Sequence, residues 1–354
     1  MDYERTTFRL SPQQADELHE RLYKQYDAYF TARCAQSDAE IATRWHRDFS
    51  SLEAYEASIA PNRADFLAMF GGWPWERGDL QAEVMRLDQT DQYTVNRVFL
   101  TTLPGVRLDF LLLVPHGLTS PAPAVIAQHG LGGRPEAACG FIDQGEPNYH
   151  AFGSRLAELG YVVAAPHMMG GPDKRNWLQR KAMLMGESLT GAEMFGLSRI
   201  VDFLQQQSYV DGERIGLYGL SQGGMTAQLL PALETRIKAT VCSGNFTWRW
   251  PKMVLPGEKY VAYICTDEED KFFPGQLLEF SDADICSLIC PRCVFIEHGE
   301  NDRVVLAEAV TVEYPKLQAI YDQLGIPDRV GIEVHPGEHE VWFNGGVEFL
   351  KKHL

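Results

Sequence analysis

With 354 residues, 45% hydrophobic and 23% charged, the chain has an ordinary globular composition and can bury a sizeable core in one large domain or two modest ones. A formal net charge of -16 argues against nucleic acid or an anionic membrane as partner, because both would repel it, and favours a neutral or cationic small molecule. Seven cysteines, an odd count in a chain too large to need disulfide staples, point to a reducing compartment.

The start, Met1-Asp2-Tyr3-Glu4-Arg5, lacks the basic and apolar regions of a secretory signal, and no apolar run reaches membrane-spanning length. The expectation is a cytoplasmic protein. Ser11-Pro12-Gln13-Gln14 reads as a capping box with proline at the first helical position, and Leu18, Leu22, Tyr26 and Tyr29 then share one face of a helix over about 12–33. Ser37-Asp38-Ala39-Glu40 opens a second helix, and Pro61 restarts a third that ends near Gly71-Gly72. Residues 1–78 therefore read as a helical arm packed on the core, with Trp73 and Trp75 within reach of a site.

The period then falls towards 2. Glu83 to Leu87, Thr94 to Thr102 and Val106 to Val114 read as antiparallel strands, the last two joined across Pro104-Gly105. From Ala124 onward strands and helices alternate: strands at 124–128, 161–165, 214–218, 239–242, 293–297 and 330–334, and helices at 151–159, 193–206, 222–233, 307–324 and 341–352. That order requires a mostly parallel sheet covered on both faces, with its site at the carboxyl ends of the strands. Residues 79–354 form this catalytic domain. Residues 243–290 interrupt the alternation and are too long for a plain connection, so they read as a cap-like insertion. Cys286, Cys290 and Cys293 are close, but they straddle Pro291 and lack a fourth ligand at zinc-like spacing; they read as buried thiols, and neither metal nor cofactor is expected.

Gly219-Leu220-Ser221-Gln222-Gly223 follows a short apolar run and precedes a helix with small residues on its inner face. This is the pattern of a nucleophile elbow, a strained turn presenting Ser221, in which a β-carbon at 219 or 223 would collide with the neighbouring strand or helix. A serine hydroxyl needs a base to remove its proton and a third group to orient that base. Asp302, in His298-Gly299-Glu300-Asn301-Asp302, lies where the orienting carboxylate is wanted, with Glu300 as the competing choice. His339 sits in the loop after the last strand and is preferred as base over His335, which lies in the strand and precedes a proline. The backbone N–H groups of Gln222 and Leu131 are the oxyanion donors, with Gly132 second to Leu131, because His129-Gly130-Leu131-Gly132-Gly133 resembles the HGGG-type loop of lipases and esterases. Met168, Trp248, Trp250 and Phe272 are candidates for the substrate pocket.

From about residue 80 onward these motifs resemble the α/β-hydrolase fold, within it the dienelactone hydrolase and acetyl xylan esterase-like group. Gly219 to Gly224 matches the GxSQGG signature of acetyl xylan esterases and cephalosporin C deacetylases, and His339-Glu340 matches their His-Glu pair. Two positions depart: Pro166 to Gly171 replaces their Arg-Gly-Gln motif, and Ser221 stands where dienelactone hydrolases carry cysteine. The resemblance implies a serine carboxylic ester hydrolase of the carboxylesterase class, acting through an acyl-enzyme on small-molecule acetyl-type esters, carbohydrate esters among them. It is compatible with a homo-oligomer, since related esterases commonly associate. Two other readings stand beside it: a peptidase or aminoacyl hydrolase of the prolyl oligopeptidase type, and a non-catalytic binding protein on a hydrolase scaffold.

Overall fold

The computed structural model describes residues 7–142 and 147–354. Helix α1 (Pro12–Cys34) begins at the capping box: Ser11 accepts from the Gln14 backbone N–H and the Gln14 side chain accepts from the Ser11 N–H. The six-residue α2 (Ser37–Ala42) and then α3 (Leu52–Met69) follow. Pro61 does not restart a helix as expected; it lies inside α3, which is capped by Ser51. Tyr55, Ile59 and Phe66, on both sides of the proline, are fully buried. Their burial at roughly 1.5–3 kcal/mol each outweighs the ~3 kcal/mol cost of a helical proline. Gly71 and Gly72, at φ +95° and +77°, end this stretch in the left-handed conformation that glycine tolerates.

The expectation of an arm packed on the core does not extend to α1. None of its residues is buried, and Leu18, Leu22, Tyr26 and Tyr29, together with Tyr23 and Phe30, face outward. Periodicity made the helix amphipathic, but among the described residues only its carboxyl end, at Tyr29 and Phe30, meets the insertion, and Leu18, Leu22 and Tyr26 stay exposed.

Strands β1 (Glu83–Gln89), β2 (Tyr93–Leu103) and β3 (Val106–Pro115) form an antiparallel meander. They extend a sheet with β4 (Ala122–Gln128), β5 (Val162–Pro166), β6 (Val210–Leu220), β7 (Ile237–Ser243), β8 (Cys293–Gly299) and β9 (Val330–His335). The order is β1-β2-β3-β5-β4-β6-β7-β8-β9, and every pairing from β5 to β9 is parallel. The period of two divides the core. Phe110, Leu112, Ala124 and Ile126 join one apolar layer, and Leu111, Leu113, Val125 and Ala127 join the other.

Helices α4 (Pro135–Ala138), α5 (Phe152–Glu158), α6 (Pro172–Met183), α7 (Leu189–Gln205) and α8 (Gln222–Leu233) precede the insertion. Within it lie α9 (Arg249–Val254), α10 (Gln276–Glu279) and α11 (Asp282–Ser287); α12 (Ala307–Gln323) and α13 (Asn344–His353) follow. Helices α3, α7, α8, α11 and α12 cover the first face of the sheet, and α4, α5 and α13 the second. This is the α/β-hydrolase fold, and its six parallel strands bring their carboxyl ends to one edge. No helix of the described residues is long and apolar enough to cross a membrane.

Helix α6 had no counterpart in the sequence pattern because what holds it is ionic. Arg175, completely buried, donates to both Glu193 carboxylate oxygens at 2.7 Å and to Asp270 at 2.7 and 3.0 Å. The two carboxylates raise its pKa against the opposing effect of burial. This cluster ties α6 to α7 and to the insertion. The insertion also leans on the arm: the Trp45 indole N–H donates to the Glu279 carbonyl at 3.0 Å, and the Tyr55 hydroxyl to the Ser287 carbonyl at 3.0 Å.

Candidate active site

Ser221 follows β6 directly and caps α8, with φ +62° and ψ -116°. A non-glycine residue in that region costs on the order of 1–3 kcal/mol and persists only where its surroundings fix it. They do so by backbone contact. A β-carbon on Gly219 would lie 2.2 Å from the Gly223 carbonyl oxygen, one on Gly223 would lie 2.2 Å from the Gln128 carbonyl oxygen, and one on Gly224 would lie 2.1 Å from the Ser243 carbonyl oxygen. The Ser221 N–H donates to the Ser243 carbonyl at 2.9 Å. Strands β4, β6 and β7 thus clamp the turn.

Asp302 and His339 come from the loops after β8 and β9. The His339 Nδ1 lies 2.7 Å from Asp302 Oδ2, while Asp302 Oδ1 accepts the Val304 and Val305 N–H groups at 2.6 and 3.1 Å. Burial pushes the Asp302 carboxyl up, but the His339 hydrogen bond and charge and the Val305 N–H outweigh it, so the carboxyl is held below its ordinary value and stays ionised. With Asp302 accepting at Nδ1, the His339 Nε2 is left as the basic nitrogen. The ring lies over the end of β7: a β-carbon on Gly244 would be 2.9 Å from His339 Cε1 and 3.2 Å from Leu220 Cδ1, the residue before Ser221. Among the described residues the Ser221 hydroxyl has no hydrogen-bond partner; such contacts often tighten only when substrate binds. Glu300 is not brought to His339: its side chain is exposed and its N–H donates to the His335 carbonyl. His335 stacks on Trp342 with ring centroids 4.8 Å apart.

The loop bearing Leu131 is fixed by groups that sequence reasoning missed. His129 is buried, and burial lowers its pKa to about 4, so the ring is neutral. Its Nε2 accepts the Met168 N–H at 3.2 Å, which leaves Nδ1 to donate to the Gly130 carbonyl at 2.7 Å. The Tyr149 hydroxyl accepts the Gly130 N–H at 2.8 Å. The His339 loop is likewise held by Glu297, a fully buried carboxyl that accepts from the Tyr218 hydroxyl at 2.7 Å and from the Trp342 and Phe343 N–H groups at 3.1 and 3.0 Å. Burial raises its pKa. Glu297 and Tyr218 are far apart in sequence but two strands apart in the sheet, so no local spacing could have paired them.

Of the pocket candidates, Met168 lies at the end of β5 beside the His129 loop. The other three turn to the arm. The Trp248 indole N–H donates to Asp38 of α2 at 3.1 Å, Trp250 packs edge-on against Trp248 at 5.7 Å, and Phe272 shares a groove with Tyr29 and Phe30 of α1.

Four findings from other proteins bear on this site. Residues 150–332, a little over half of the chain, match the prolyl oligopeptidase family. A Bacillus subtilis (strain 168) protein, "Putative hydrolase YtaP", is 27% identical over 311 residues, which cover 83% of this chain and 99% of the relative. Among solved structures, a "putative acetyl xylan esterase" from Bacteroides fragilis NCTC 9343 has a TM-score of 0.70 at 18% identity, covering 87% of this chain and 81% of that one. A glucuronoyl esterase from Solibacter usitatus has a TM-score of 0.64 at 15% identity, covering 85% and 93%. At these identities the structural likenesses carry the fold.

Proposed function

The chain belongs to the prolyl oligopeptidase family of α/β-hydrolase-fold hydrolases, and on that premise we propose that it is a serine carboxylic ester hydrolase acting through an acyl-enzyme on short-chain, acetyl-type esters. The observation that carries this reading is the strained Ser221 at the end of β6, with a hydrogen-bonded His339–Asp302 pair in the loops after β8 and β9 and the chain order of a Ser-acid-His triad. Ser221 Oγ attacks the ester carbonyl carbon as His339 Nε2 takes its proton. Asp302 keeps the imidazole in the required tautomer and stabilises the imidazolium. The Gln222 and Leu131 N–H groups donate to the oxyanion. Collapse of the tetrahedral species expels the alcohol, which leaves with the proton from His339, and a water activated by the same ring then hydrolyses the acyl-serine.

The esterases among the structural neighbours favour an ester over an amide as substrate and bring carbohydrate esters within range. Domain division follows the same reading: residues 1–78 as a helical arm, 79–354 as the catalytic domain, and 243–290 as a cap-like insertion. All seven cysteines are free, which supports a reducing compartment.

The family match favours one second reading, a peptidase or aminoacyl hydrolase. Against it, the nine strands of the described residues join one sheet and the arm is helical, with none of the ~40-residue, four-stranded blades of a propeller. The test is a comparison of p-nitrophenyl acetate with a prolyl-anilide, alongside fluorophosphonate labelling. Ester turnover and labelling in the wild type, with turnover lowered by at least about 10⁴-fold in Ser221→Ala and His339→Ala and labelling lost in Ser221→Ala, is the expected result. Anilide turnover with inert esters would replace the esterase reading by the peptidase one.

A further inference from the structure

One large cavity, of about 770 Å³, lies at the same sheet edge and takes no part in the steps above. It opens beyond β5, and Met168, whose N–H is bonded to His129, lines it. Gly170 lines it as well and packs on the oxyanion loop: a β-carbon there would sit 3.4 Å from the Gly132 Cα. Because β4 separates β5 from β6, the end of β5 at the cavity wall stands two strand spacings, on the order of 10 Å, from the strand that carries Ser221. That distance suits a distal group of a substrate whose reacting carbonyl is at Ser221. The walls are mainly apolar, formed by Trp75, Leu108, Met168, Leu178, Leu189 and Leu197. Of the charged residues that also line it, Glu193 is engaged by Arg175, Asp109 by Arg97 and Arg107 by Glu83, while Lys174, Lys181 and Glu187 complete the polar part of the lining. Met169 and Met185 stand exposed at the mouth, and unbranched thioethers adapt to apolar groups of varied shape.

Gly196 makes the depth of this cavity informative. It lies inside α7 and has no positive φ, so it carries the helix cost of glycine without a backbone reason for it. Gly191 in the same helix is sterically required, since a β-carbon there would lie 2.4 Å from the Phe70 carbonyl oxygen. Gly196 is not. Its β-carbon would meet Thr102 Cγ2 at 3.5 Å and Leu108 Cδ2 at 3.7 Å, ordinary contacts with residues that line the cavity. What the missing side chain provides is space.

We propose that the cavity between β3, α6 and α7 binds a bulky apolar group of the ester, with Gly196 setting its depth. This rests on the serine-esterase reading of Ser221, not on its acetyl-type acyl half, and adds to it that one half of the ester is large and apolar. Either half could supply the group, so two substrate series are needed: alkyl acetates from ethyl to octyl, and p-nitrophenyl esters from acetate to octanoate. In the wild type kcat/KM rises about tenfold or more with length in one series, and that series identifies the half bound. Gly196→Leu lowers the long-to-short ratio about tenfold, chiefly through KM, and Gly196→Ala lowers it less while melting no earlier than wild type. A wild type flat in both series, or a folded Gly196→Leu with the wild-type ratio, would overturn the inference while leaving acetate turnover and Ser221 labelling in place. Loss of all ester turnover and of labelling in the wild type would overturn the esterase reading and this inference with it.

Discussion

At the edge of the sheet that carries Ser221, backbone packs against backbone. Gly219, Gly223 and Gly224 each leave no room for a β-carbon, and Gly299 is the same, its β-carbon falling 2.0 Å from the Glu338 carbonyl oxygen. In the N-terminal arm, by contrast, α3 buries Tyr55, Ile59 and Phe66 completely, while α1 buries none of its residues and leaves Leu18, Leu22 and Tyr26 exposed. The difference teaches that a steric requirement between neighbouring backbones dictates residue type and place together. An amphipathic period dictates a helix and leaves its partner unspecified. The largest effect that would break this contrast is expected at Gly223. Gly223→Ala pushes a methyl into the Gln128 carbonyl, which belongs to a central strand and cannot swing aside. The expected cost is at least about 3 kcal/mol in a denaturant titration, with a loss of about 10²-fold or more in turnover as Ser221 is displaced. Wild-type stability and turnover would show that the edge has slack.

The same contrast explains what could be read from the sequence. The elbow, the chain order of Ser221, Asp302 and His339, and strands over 124–128, 239–242 and 293–297 all rest on local rules, and the structure places the corresponding elements within a few residues. Helix α6 was missed because Arg175 finds Glu193 and Asp270 from distant segments, which no period reveals. Trp248 and Phe272 were expected in a pocket because they are aromatic and lie in the insertion; which groups they meet, Asp38 for Trp248 and the Tyr29–Phe30 groove for Phe272, depends on distant segments that no local pattern reveals. Pro61 was read as restarting a helix because propensity counts residues in isolation, whereas fully buried neighbours on both sides hold α3 together through it.

A second, smaller effect separates the edge from the arm through pH. Burial lowers the pKa of both His129 and His298 to about 4, against an ordinary value near 6.5 in the unfolded chain. Between those values the unfolded state binds more protons, so the stability these rings contribute is fully present above about pH 6.5 and is lost as pH falls towards 4. The loss by pH 5 is on the order of 2 kcal/mol for each ring. Denaturant midpoints measured from pH 7 to pH 5 should fall accordingly, and less steeply in His298→Asn. Equal slopes in the two proteins would show that His298 is not held neutral.

The smallest effect is expected on α1, where it is also the most instructive. Leu22 is 53% exposed, so Leu22→Ala removes little buried area, and alanine is the better helix former. The chain should lose no more than about 0.5 kcal/mol, and its melting temperature should not depend on protein concentration. A loss several times larger that shrinks as the wild type is diluted would have one physical cause: the face carrying Leu18, Leu22 and Tyr26 is buried against a second copy in solution. In that case α1 would follow the same rule as α3, with its core supplied by another chain, and the contrast between the arm and the catalytic edge would narrow to α1 alone being intermolecular.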